Sequence, residues 1–225
     1  MVARTDAGRS RTRLDPNVRR ASILDAAESV FAGRNPAEVT FEEVAEAASV
    51  SRGLVHNYFG DKSGLMAALY LRTFERLDTA LLAGLDRAPA DDGEAALRAV
   101  VSAYLAFARD NQVAWRMLGA AAATAHPAVR GARAERVRRM AEAWGGTDQA
   151  SLLAAGIVGF LEAATLAWLD GGAADVDTAT DLLVQLIWDG LTGLDDTSAV
   201  RLPPRWSFDR STFVPRTVAL ADAPG

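Results

Sequence analysis

Residues Thr40–Lys62 read TFEEVAEAASVSRGLVHNYFGDK. The stretch decides the fold because it spells two short helices and the turn between them. Thr40 and Glu43 have capping-box spacing: the threonine oxygen can accept from the N–H three residues on, and the glutamate can reach back. Val39 and Val44 flank that cap at hydrophobic-staple spacing, and Val50 and Val55 repeat it around Ser51, the next candidate N-cap. Ala45 is small where two helices would cross. Ser49 lies in the turn, and Gly60-Asp61 ends the second helix. A short helix, a tight turn and a polar second helix form a helix-turn-helix, whose second helix enters a DNA major groove.

The composition of the second helix fits that use. Gly53 lets a backbone approach DNA. Arg52, read as lacking an ion-pair partner, can contact guanine or phosphate. His56, Asn57 and Tyr58 offer donors to phosphates or bases. Lys62, the only lysine in the chain, stands at the first turn of a following helix, where free N–H groups and an ammonium can share a phosphate.

Working outward, Asp15-Pro16 is a helix start. Ile23, Ala27, Val30 and Phe31 then recur on one helical face, until Gly33–Pro36 breaks it. Helices are predicted near 41–48, 52–58, 62–85, 94–109, 112–123, 127–144, 149–170 and 176–194. No segment alternates as a strand does. His126-Pro127, Gly145-Gly146 and Gly171-Gly172 punctuate the series, with His126 read as ending or capping a helix. The expected organisation is a flexible basic arm (1–14), a helix-turn-helix domain (15–61), a helical domain (62–195) and an extended tail (196–225). The fold class is all-α.

The chain has 225 residues, no cysteine and a net charge of −5. Disulfides and thiolate metal sites are therefore excluded. Residues 1–20 hold six arginines against two aspartates. Such an arm either seeks phosphate or is a solvated tail. No apolar run follows it, so a secretory signal is not expected. The apolar run Leu152–Leu169 approaches the length of a membrane span. Glu162 within it and Gly171-Gly172 behind it favour a helix buried in a soluble bundle. There is no Ser-His-acid set, phosphate-cradling glycine loop or histidine-rich metal spacing. Neither catalysis, nor a cofactor, nor a metal is expected.

Three stretches, ILDAAESVFA (Ile23–Ala32), VTFEEVAEAASVS (Val39–Ser51) and RGLVHNYFGDKSGLMAAL (Arg52–Leu69), resemble the TetR family of bacterial one-component regulators. The aromatic pair Tyr58-Phe59 with Lys62 close behind is the most specific part. The resemblance covers about a fifth of the chain strictly and the helical remainder loosely. It implies that Lys62, Tyr58 and Thr40 hold phosphates. It places Ser51, Arg52, Gly53, Leu54, His56 and Asn57 at the groove, and Phe59 in the core. Two positions depart from the family pattern. Ser49 stands where glycine is usual, at a cost of roughly 1 kcal/mol if the turn needs positive φ. His56 stands where tyrosine is common, and is read as a neutral hydrogen-bonding group.

The resemblance also implies a C-terminal helical domain that binds a small molecule and dimerises. Gly156, Gly159, Ala163 and Ala167 form a stripe of small residues at helical spacing. Leu183 (or Leu182), Leu186, Ile187 and Gly190 share a side of the last helix. The two helices suit either an intrachain core or a four-helix interface between subunits; the resemblance favours the interface. Tyr104, Phe107, Trp115, Met117, Trp144, Phe160 and Trp168, with Glu162 as a polar contact, are candidates to line an apolar pocket. Each taken alone reads equally as core.

The expected function is a cytoplasmic, dimeric, ligand-responsive repressor. It would leave a palindromic operator on double-stranded DNA when a small hydrophobic effector binds. An activator or a ligand-independent regulator of the same fold is the alternative within the class. A helical protein-interaction module without DNA binding is the alternative outside it. No membrane partner is expected.

Overall fold

The computed structural model describes residues 15–32, 34–89, 92–112, 114–115, 126–172 and 175–197, with side chains described as far as residue 193. The described residues are helices and turns without a strand. The helices are α1 (Pro16–Phe31), α2 (Phe41–Ala47), α3 (Arg52–Phe59), α4 (Lys62–Leu85), α5 (Gly93–Asp110), α6 (Pro127–Ala143), α7 (Asp148–Gly171) and α8 (Val176–Thr197). The chain divides into two compact units, Met1–Lys62 and Ser63–Gly225.

The first unit is small and locally specified. Asp15 caps α1, its carboxylate accepting from Asn17 N–H at 2.8 Å, with Pro16 at the first helical position. Ile23, Leu24, Ala27 and Phe31 are buried on one face of α1. The capping box forms as the spacing predicts: Glu43 N–H donates to Thr40 Oγ1 at 3.3 Å, and Thr40 N–H donates to Glu43 Oε2 at 2.8 Å. Val39, Val44, Ala45 and Val55 are buried, so both residues of the first staple reach the core, while Val50 of the second is half-buried.

Ser49 has φ 54°, the left-handed region that favours glycine. The strain is held by two bonds of a Schellman-type cap: Val50 N–H donates to Ala45 O at 2.9 Å, and Ser49 N–H to Glu46 O at 3.0 Å. Gly60, at φ 72°, ends α3 by donating to His56 O at 2.7 Å.

In the second unit α8 lies mainly against α5, and α7 mainly against α6. Gly84 of α4 is a point of close approach: a Cβ there would lie 2.9 Å from both Ala103 Cβ and the Ala99 carbonyl oxygen of α5. His126 caps α6, its Nδ1 accepting from Ala128 N–H at 3.2 Å. Thr147 caps α7, and Gly172 at φ 61° ends it.

Three sequence expectations need correction or limits. Residues 196–197 continue α8 rather than starting an extended tail; the rest of that tail, the arm 1–14 and Met117 lie outside the described residues. Only part of the predicted 112–123 helix is described. Most importantly, α7 is not a buried helix. It is long and apolar enough by composition to cross a membrane, yet 22% of its most apolar window is buried. Ala150, Ala154, Leu161 and Thr165 form its inward face. Spacings of four, seven and four residues put them on one stripe, and the remaining circumference is half-buried or exposed.

Candidate nucleic-acid interface and ligand cleft

The first unit presents α3 with a polar outer face. Ser51, Arg52, Gly53, His56 and Asn57 are exposed, Leu54 and Tyr58 are half-buried, and Val55 and Phe59 turn inward. Ser51 Oγ caps the helix by accepting from Leu54 N–H at 3.2 Å. A Cβ at Gly53 would meet nothing within 4 Å. Its small size is therefore not demanded by the chain's own packing, and the space it leaves faces outward. The Arg20 guanidinium lies 5.3 Å from the Phe59 ring centroid, anchoring the base of α3 to α1. His56 meets Phe41 edge-on, with ring centroids 6.5 Å apart.

Arg52 does have an ion-pair partner, contrary to the sequence reading: its guanidinium is 2.6 Å from Glu42 of α2. The sequence separation hid the contact, because it depends on how α2 and α3 cross. Both side chains are well exposed, so the pair is weak and readily exchanged for a phosphate or base edge. Lys62 Nζ donates to the Ala37 carbonyl at 2.9 Å, tying its cationic end to the loop before α2. Thr40 Oγ1 also donates to Glu43 Oε2 at 3.0 Å, while Arg34 contacts Glu43 Oε1 at 2.8 Å. The backbone N–H of Thr40 and the Arg34 guanidinium hold the Glu43 carboxyl down at about 2. Cationic ends and capping groups thus surround the start of α2 and the start of α4.

The second unit contains a cleft, part of it open to solvent. Its walls include Phe74 and Leu81 of α4, Leu97, Val101 and Tyr104 of α5, Arg136 and Met140 of α6, and Ile157, Leu161 and Glu162 of α7. Tyr104 and Glu162 are the two sequence candidates among these walls. Trp115 stands behind them, edge-on to Tyr104 at 5.1 Å and 6.4 Å from Phe74, with Phe107 at 6.3 Å. Trp144 is buried at the end of α6, while Phe160 and Trp168 are half-buried on α7 outside the cleft walls.

Charge is concentrated beside the cleft. Arg136 donates to Asp78, and both are buried; Arg139 approaches Asp78 at 4.0 Å. The Arg136 guanidinium also lies 4.6 Å from the Phe74 ring centroid. Arg133 donates to Glu162 Oε2. Burial pushes the Asp78 and Glu162 carboxyls upward, and their arginines oppose the shift. Burial also pushes the Tyr70 hydroxyl up to about 12. The sequence reading missed Asp78 and Arg136. Asp78 carried a usable signal, an acid on the same helical stripe as Phe74 and Leu81. Arg136 was lost among the arginines of α6. Among the described residues no acidic or histidine cluster could hold a metal ion.

The candidate interface residues on α7, Gly156, Gly159, Ala163 and Ala167, are all exposed. Added Cβ atoms at Gly156, Gly159 and Gly190 would meet nothing within 4 Å. Leu186 and Gly190 of α8 are exposed, and Leu183 is half-buried. Ile187 is the correction: at 6% exposure it belongs to the chain's own core, because one residue along α8 rotates a side chain by about 100°. Leu152 (74% exposed), Leu182 (62%) and Leu186 (61%) remain uncovered.

Residues 23–69 match the bacterial regulatory proteins of the tetR family. An HTH-type transcriptional regulator of Mycobacterium tuberculosis is 37% identical over 40% of this chain and 43% of its own length. The chain thus spans less than half the length of the first curated relatives it matches. The HTH-type transcriptional activator FasR of Mycolicibacterium smegmatis is 27% identical over 80% of this chain and 86% of its own. Among solved structures, a TetR-like transcriptional regulator from Rhodococcus superposes with a TM-score of 0.58 at 28% identity, over 81% of this chain and all of that one.

Proposed function

We propose, from the match of residues 23–69 to the tetR family of bacterial regulatory proteins, that the chain is a DNA-binding transcriptional regulator of that family, not an enzyme, and acts as a dimeric, effector-released repressor in the cytoplasm. The observation that carries the proposal is the exposed polar face of α3, held at a fixed angle to α2 by the strained Ser49 turn. Arg52, His56 and Asn57 meet base edges there. Tyr58, Thr40 and Lys62 hold phosphates.

The uncovered faces of α7 and α8 support a homodimer. A stripe of glycine and alanine permits close helix approach, and Leu152, Leu182 and Leu186 lose water when a second copy covers them. Two recognition helices then read a palindromic operator. A hydrophobic effector enters the cleft in the second unit. Helix α4 starts at Lys62 and lines the cleft with Phe74 and Leu81. An effector that binds one position of α4 better than another shifts the population, and with it the spacing of the recognition helices.

The test is selection of bound sequences from a random duplex pool, with the purified chain and no added ligand. A palindrome, bound with strong salt dependence, supports the reading. Recovery of no sequence at low salt, before and after refolding to strip bound ligand, sinks it and leaves a helical interaction module. The named activity of FasR favours a second reading, activation in place of repression. Transcription in vitro from the selected operator separates the two.

A further inference from the structure

We propose that Glu42 reads DNA sequence together with Arg52: the two side chains take one G·C base pair, Arg52 donating to O6 and N7 of guanine and Glu42 accepting from the N4 amine of the paired cytosine. The inference deepens the reading of α3 as the recognition helix and rests on it. Three observations carry it.

First, the start of α2 shares the outer face of α3. Phe41 meets His56 edge-on and Glu42 meets Arg52 at 2.6 Å, so neighbouring residues of α2 touch positions one turn apart on α3. Both charged side chains are more than half exposed, and a Cβ added at Gly53, beside Arg52, would meet nothing within 4 Å. A base edge that reaches Arg52 therefore reaches Glu42. Second, α2 does not need Glu42 for its start. Glu43 completes the capping box with Thr40 and takes Arg34 as its ion-pair partner. Another acid in the first turn adds only dipole stabilisation, while its charge repels the phosphates of a bound duplex. Third, the pair carries the pattern complementary to one base-pair edge. In the major groove guanine offers two acceptors and cytosine one donor; Arg52 brings donors and Glu42 an acceptor, side by side. The exposed ion pair is weak, so it is exchanged at little cost for bonds to the bases. A reversed pair sets the carboxylate against the acceptors of guanine and the guanidinium against the amine of cytosine, so the reading has a direction.

The experiment is competition binding of the full chain to its selected operator, with each of the four base pairs placed, in both half-sites, at the position that Arg52→Ala relaxes. The unsubstituted chain is expected to prefer G·C over the reversed pair by at least about tenfold. Glu42→Ala should relax that same position and no other. Glu42→Gln, a second variant should the first fail to fold, is expected to admit a pair with adenine in place of the cytosine, because an amide pairs with N6 and N7 of adenine, even as the lost charge raises affinity for duplexes in general. An unchanged base preference in both Glu42 variants overturns the proposal and leaves Glu42 as a first-turn acid, with α3 still the recognition helix. Relaxation of different positions by Glu42→Ala and Arg52→Ala overturns it too, as does uniform weakening by Arg52→Ala. If the unsubstituted chain selects no sequence, the proposal and the recognition-helix reading fall together.

Discussion

The two units solve the placement of charge in opposite ways. In the first, arginine, lysine, histidine and asparagine lie outside, and Ile23, Leu24, Val44 and Val55 lie inside. In the second, Asp78 and Arg136 are buried together, while Leu152, Leu182 and Leu186 face water. The first unit turns its polar face outward, the face proposed to meet DNA. The second leaves leucines exposed and buries its charges as a pair. A helix-turn-helix therefore announces its partner through what is polar and exposed. The larger unit announces its partners through what is apolar and exposed, and through what is charged and buried.

The contrast is broken most directly at Asp78. Asp78→Ala strands Arg136 among apolar walls and is expected to cost about 3–5 kcal/mol in urea unfolding. The double variant Asp78→Leu, Arg136→Met removes both charges and should recover much of that loss. If the single change costs less than about 1 kcal/mol, the pair is solvated and the contrast fails.

A smaller effect is expected at the DNA face. Arg52→Ala should cost about 1–3 kcal/mol at one base position of the selected operator. Glu42→Gln, which frees Arg52 from its ion pair, should leave the folded state intact and strengthen binding at low salt. Uniform weakening across sequences by Arg52→Ala would make Arg52 a phosphate contact. Lys62→Ala should weaken all DNA together and reduce the salt slope by about 0.9, one phosphate's worth.

Leu186→Glu places a charge on the uncovered face of α8. Because Leu186 is mostly exposed, the helix content should persist while sedimentation shifts from dimer to monomer. An unchanged mass would remove α8 from the interface. At the turn, Ser49→Gly should stabilise the first unit by about 1 kcal/mol by relieving positive φ; a loss of stability would mean that the serine hydroxyl has a role of its own.

The smallest expected effect is acid sensitivity at Glu43. Its folded carboxyl lies at about 2 against an ordinary 4.5, so its contribution is fully present above 4.5 and is lost as pH falls through about 2. Glu43→Gln should flatten the melting profile across that window.

The first unit was legible because its signals are local. The capping box, the Val39–Val44 staple, the Ser49 turn and the Gly60 stop each involve residues within about six positions of one another. One- and two-turn geometry is set by the backbone itself. The Arg52–Glu42 pair escaped because a helix crossing, not a helix period, brings it together.

What the amino-acid sequence determined by itself was the helical class, the α2–turn–α3 unit, the polar surface of α3 and the small-residue stripe of α7. These follow from periods and caps that act over a few residues. Tertiary structure alone decided that α7 lies largely uncovered, that Ile187 turns inward while Leu186 does not, and that Asp78 finds Arg136 across 58 positions. It also decided which aromatics stand behind the cleft. The reason is physical. Burial and ion pairing depend on which helices cross and where, and such crossings are settled by the summed packing of whole faces, which no short stretch contains.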